Sequence, residues 1–133
     1  MNQTSIRIED NKAFPQHVGA FQVKLLTAGE EIAAGVRMVD LAGGLPVSSL
    51  PISTGNLIFC VAYLERAIVG GPDWLFDDRD GKRVIRNLLE FEDTGVLHRL
   101  IREWSQWREL QLNPREDAGG GKQADQPRKV AAG

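Results

Sequence analysis

The sequence predicts an α+β domain that is mainly α: a short N-terminal strand pair, about four helices and a disordered C-terminal tail. Three observations predict it. Near the N-terminus apolar residues alternate with polar ones, the period of a half-buried strand. From Thr27 onward the apolar period lengthens to three or four residues, which is that of a helix. After Pro114 large apolar side chains vanish. A chain of 133 residues is long enough for one core but not two. Residues 1–114 therefore read as one globular domain and 115–133 as its tail.

The strands come first. In "SIRIED" Ile6 and Ile8 alternate with polar neighbours, and in "FQVKLL" Phe21, Val23 and Leu25 do the same. Asn11, Pro15 and Gly19 punctuate the link between them. The first helix starts at "TAGE", where Thr27 and Glu30 have capping-box spacing. Ile32, Val36 and Val39 recur along it at helical spacing, with Ala33 beside them, and Gly43-Gly44 ends it. Gly29 and Gly35 each weaken this helix by about 1 kcal/mol relative to alanine.

A loop, "LPVSSLPIST", leads to the most apolar segment, "GNLIFCVAYLERAIVGG", with Ser53 or Thr54 as its cap. Leu57, Val61, Leu64 and Ile68 fall on one face, widened by Ile58 and Phe59, so this is the expected central helix. Gly70-Gly71-Pro72 stops it. In the connector "PDWLFDDRDG", Trp74, Leu75 and Phe76 are expected to pin the chain to the core. "KRVIRNLLEF" reads as a helix burying Val84, Ile85, Leu88 and Leu89. The last helix, capped by Asp93 or Thr94, carries Val96, Leu97, Leu100, Ile101, Trp104 and Trp107 as its apolar stripe, and Asn113-Pro114 ends it. Beyond, "REDAGGGKQADQPRKVAAG" holds one Val, no aromatic residue and no Leu or Ile, too little to offset the entropy of ordering.

Bulk composition narrows the function. A net charge of -2 and no basic stripe argue against nucleic acid or anionic lipid as partner. No apolar run approaches the roughly 20 residues of a membrane helix. "MNQTSIRIED" has neither the basic nor the apolar region of a secretory signal, so a cytoplasmic setting is expected. One cysteine, Cys60, excludes an internal disulfide and a multi-cysteine metal site. It lies in the most apolar helix, where a free thiol is normally inert. His17 and His98 are the only histidines, and carboxylates near them form no recognised metal loop. No metal, cofactor or catalytic group is expected.

Two segments invite ligand readings. "DDRDG" has aspartates but not the register or the distal glutamate of a calcium loop. A solvated acidic turn capping the next helix and an acidic contact patch for a basic partner both remain open for Asp73 to Asp80. "GGGK" at Gly119 to Lys122 lacks the preceding strand and following Ser or Thr of a phosphate loop. Trp104 and Trp107, three apart, lie on roughly one face. They read either as core with Trp107 at its edge, or as a partner surface, since tryptophan is a favoured interface anchor.

The order of parts resembles the tail assembly chaperones of long-tailed bacteriophages. A strand-rich start leads to a "V-x-x-L-T-x-x-E"-like helix start, Val23 to Glu30. An apolar helix follows, then a closing helix with an "E-W-x-x-W"-like turn, Glu103 to Trp107, and a tail. The likeness covers about residues 6 to 112 through motifs of low specificity. It implies a binding protein in the bacterial host cytoplasm that associates with itself or coats the tape measure protein. It also implies a longer product of -1 ribosomal slippage, which recruits tail tube subunits. Gly121-Lys122 is compatible with the slippery site. The implied contact residues are Trp104, Trp107 and Leu110, then Trp74 and Phe76, with no catalytic role. The competing readings are a structural tail or head-tail connector protein and a small nucleic-acid-binding regulator.

Overall fold

The computed structural model describes residues 2–114, so the expected tail and the slippage position at Gly121-Lys122 lie outside the described residues. The N-terminal alternation forms two antiparallel strands, β1 (Gln3–Ile8) and β2 (Gly19–Lys24), with Gln3 opposite Lys24 and Ile8 opposite Gly19. This register puts Ile6, Ile8, Phe21 and Val23 on one buried face. Helix α1 (Ala28–Leu41) starts at the full capping box of Thr27 and Glu30. A single 3-10 turn, Val47–Ser49, leads to α2 (Ile52–Ala67).

The chain then departs from the helical reading. Ile68 does not extend α2; Ile68–Gly70 is a third strand, β3, antiparallel to β2, so the sheet order is β1-β2-β3. β-Branched Ile68 and Val69 followed by glycines suit an extended strand better than a further helical turn. Neither Ser53 nor Thr54 caps α2, because its first residue is Ile52, after Pro51.

The expected helix over "KRVIRNLLEF" is also replaced. Lys82–Ile85 is strand β5, paired with β4 (Phe76–Arg79) as a two-residue hairpin. The turn residues Asp80 and Gly81 have φ of 51° and 76°. Positive φ at both central positions is the type I′ pattern whose twist matches the flanking strands, and Asp-Gly is its preferred sequence. Leu88–Glu90 is only a 3-10 turn, and it buries Leu88 while leaving Leu89 52% exposed. The acidic turn thus joins two strands rather than capping a helix. There are three α-helices among the described residues, not four.

Helix α3 (Thr94–Leu112) follows the sequence reading, with Asp93 as its cap and Val96, Leu97, Leu100, Ile101 and Trp104 buried. Together α2, α3 and the three-stranded sheet enclose the core, whose largest fully buried side chains are Trp104, Phe21, Leu64, Leu75, Leu97 and Leu100. Burying each contributes about 1.5–3 kcal/mol. Leu75 anchors a 3-10 turn at Asp73–Leu75, so the connector is pinned as expected.

Candidate functional site

Helix α1 is built inside out. An apolar stripe at i, i+4, i+7 ordinarily marks the face a helix buries. Here Ile32, Val36 and Val39 are 69%, 58% and 47% exposed. At about 100° per residue, Ala28, Gly29 and Gly35 fall on the same side, and none of these six carries a charge. A methyl group added at Gly35 would meet nothing within 4 Å, so packing inside the chain does not require glycine there.

Three of the four charged residues of α1 instead pair with the body of the protein, while Asp40 is exposed. Glu30 pairs with Lys24 at 2.7 Å, Glu31 with Arg108 on α3 at 2.7 Å, and Arg37 with Glu65 on α2 at 3.0 Å. The hydrogen bond from Lys24, with that from the Thr27 backbone, holds the Glu30 carboxyl below its ordinary range. Of the α1 side chains only Ala34 is fully buried. The helix is therefore attached by three partly buried ion pairs together with Ala34 and Leu41, and it presents Ile32, Val36 and Val39 to solvent.

The contact residues expected from the sequence divide into internal and external groups. Trp104 is fully buried and donates its indole N–H to the Lys24 carbonyl at 2.8 Å, so it supports the frame beneath α1 and offers no surface. Trp107 is half-buried against the same core. Leu110 and Leu112 are 53% and 55% exposed at the end of α3, where Ser105, Gln106, Glu109 and Leu110 line a shallow hollow. Arg108 links this end to α1: it pairs with Glu31 and lies over the Trp104 ring at 5.5 Å. Its buried Nε finds no acceptor among the described residues.

Trp74 and Phe76 are held elsewhere. Trp74 stacks on His17 with ring centroids 4.5 Å apart and donates to the Val18 carbonyl at 3.0 Å. Phe76 lies under the Arg83 guanidinium, 4.3 Å from ring centroid to carbon. His17 is clasped between Trp74 and Phe14 and bonds Asp93 Oδ2 through Nδ1 at 2.9 Å. Asn11 Nδ2 donates to the same oxygen at 2.8 Å, and the Val96 N–H donates to Oδ1 at 3.1 Å. Burial pushes the Asp93 carboxyl up, but the bonds from His17, Asn11 and Val96 outweigh it and leave it below the ordinary range. This network lashes the β1–β2 link to the start of α3.

Cys60 touches His98: Sγ lies 3.5 Å from Nδ1. Burial pushes the thiol up to about 11, so it stays protonated at neutral pH and is no nucleophile. Among the described residues no three His, Cys, Asp or Glu side chains gather to hold a metal ion, and no helix is long and apolar enough to cross a membrane.

Residue patterning located the α1 stripe but not its direction. The available signal was the pair of glycines on the stripe side, since a core-facing stripe needs side chains to pack and glycine supplies none. Comparison with protein-family models, with curated proteins and with solved structures finds no match to this chain.

Proposed function

We propose that this chain is a tail assembly chaperone of a long-tailed bacteriophage. In this reading it acts in the host cytoplasm by binding and carries no catalytic chemistry. The observation that carries the reading is the outward apolar side of α1, with Ile32, Val36 and Val39 in solvent and Glu30, Glu31 and Arg37 paired with other elements. Such a ridge suits the apolar stripe of a partner helix, with anchors recurring at three and four residues. In this reading the partner is the tape measure protein, which the resemblance implies is long and helical. Trp107 and Leu110 at the end of α3 form a second contact, and Trp104 acts from beneath as support. Trp74 and Phe76 contribute through the rigidity of the β1–β2 link and the β4–β5 hairpin.

The test is co-expression with a tape measure protein from the same genome, which this reading expects to be encoded nearby. The wild-type chain is expected to keep that protein soluble and to co-purify with it. The double variant Ile32→Asp, Val36→Asp keeps the wild-type circular dichroism and melting temperature but loses both effects. Undiminished co-purification would remove α1 as the docking face. A structural tail protein, by contrast, would be found by peptide mass spectrometry in purified particles. An N-terminal tag reveals the longer product, which disappears on synonymous recoding of Gly121 and Lys122; a single band before recoding counts against slippage.

A further inference from the structure

A cavity of about 520 Å³ lies between the chain after β1 and the first turns of α3, and its walls include Lys12, Arg99, Arg102 and His98. Arg99 and Arg102 are three apart on α3 and hence neighbours on its surface. Among the described residues Arg7, Arg37, Arg66, Arg79, Arg83, Arg99 and Arg108 each have a carboxylate within 4.0 Å, and Arg86 and Arg102 have none. Arg102 and Lys12 are exposed and make no ion pair or hydrogen bond among the described residues.

Two carboxylates, Asp10 and Asp93, border the cavity against three cations, and neither lies within ion-pair distance of Lys12 or Arg102. Asp93 is spent on His17, Asn11 and the Val96 N–H. Asp10 reaches only Arg99, at 3.9 Å with its side chain 87% exposed, a geometry in which an ion pair contributes little. Arg99 is oriented instead by its 2.8 Å bond to the Asp10 carbonyl, which leaves much of its guanidinium fork unused. The lining thus carries a net charge of about +1 without counting His98, and its two unpaired cations, Lys12 and Arg102, share one concave space.

We infer that this cavity binds a dianionic oxyanion group, a phosphomonoester or a pair of neighbouring carboxylates, between the Arg99 and Arg102 guanidiniums and the Lys12 ammonium. The forked N–H donors of arginine match carboxylate and phosphate oxygens in pairs, and lysine adds a mobile point charge. The site is independent of the α1 face. On α3 its Arg99 and Arg102 lie nine and six residues before Arg108, which touches α1, or about 14 and 9 Å along the axis.

The experiment is an NMR titration of the full chain with inorganic phosphate and, separately, with succinate as a paired carboxylate, each against sodium chloride at equal ionic strength. Saturable shifts of the Gly95, His98 and Arg102 signals are expected with a Kd below about 10 mM. The double variant Lys12→Gln, Arg102→Gln removes two exposed, unpartnered groups, so its melting temperature stays at the wild-type value while affinity falls about tenfold or more. Saturation by phosphate alone assigns a phosphoryl ligand, and by succinate alone an acidic peptide or dicarboxylate. Shifts with both ligands no larger than with chloride, or saturable binding unchanged in the double variant, would overturn the inference.

Discussion

Replacing Asp93 by alanine should unfasten two parts of the molecule at once. Its carboxylate caps α3 through the Val96 N–H at 3.1 Å. It also accepts from His17 at 2.9 Å and from Asn11 at 2.8 Å, with the residue only 5% exposed. Loss of a helix cap costs about 1 kcal/mol. Leaving His17 and Asn11 without their acceptor in a half-buried setting adds about 1–3 kcal/mol. The expected loss is therefore about 2–4 kcal/mol, or roughly 8–16 °C in melting temperature at about 4 °C per kcal/mol. Asp93→Asn keeps an oxygen for the cap and loses the charge, so it should fall between that variant and wild type. The pH dependence gives a second reading. The folded-state carboxyl is held below its ordinary range, so its contribution is complete above the unfolded value of about 3.9. It is lost as the pH falls through the lower folded value. Wild type should therefore lose stability on that acid side more steeply than Asp93→Asn. Urea titrations followed by tryptophan fluorescence between pH 2.5 and 7 measure both. A loss under about 0.5 kcal/mol for Asp93→Ala, the range of an ordinary surface change, would refute the network as a fastening. Equal acid slopes in wild type and Asp93→Asn would refute the electrostatic part.

Three further outcomes are expected. Trp104→Ala empties the fully buried centre and orphans the Lys24 carbonyl, at a cost of about 3–5 kcal/mol in chemical denaturation; loss below 1 kcal/mol would mean that the indole is not core. Gly81→Ala places a side chain at φ 76° in the β4–β5 turn and should cost about 1–2 kcal/mol, read as a lower thermal midpoint. Cys60, with its thiol pushed up to about 11, should resist alkylation at pH 8 in the native protein and react at the rate of a free thiol in denaturant; rapid native labelling would contradict its burial.

The parts of the fold legible in the sequence are those where local and tertiary preferences agree. Ile6, Ile8, Phe21 and Val23 alternate and are all buried. Thr27 and Glu30 form the capping box their spacing predicts. The α3 stripe from Val96 to Trp104 faces inward because it is the only apolar side that helix has. Legibility fails where a short apolar run fits two periods. Val84 and Ile85 suit either a helix or a strand, and the positive-φ turn at Asp80-Gly81 settles the matter for the strand. It fails again on α1, where Glu30, Glu31 and Arg37 each find an opposite charge on a different element. Those partners are up to 77 residues away in sequence, so no local pattern reveals them. The cation-lined cavity was equally hidden, because it joins Lys12 to Arg99 and Arg102 only through the fold.

The reversed polarity of α1 gives its two sides opposite responses to ionic strength. Its inner side is held by pairs whose side chains are about one quarter to one third exposed, within reach of counter-ions. At about 1 M salt the screening length shrinks to roughly 3 Å, and such pairs weaken. Apolar association on the outer side is unharmed by screening and is strengthened by excluded salts such as sulfate. Raising such a salt thus loosens the helix from its own domain while tightening its hold on an apolar partner. Lowering it fixes the helix to the domain and eases the partner's release.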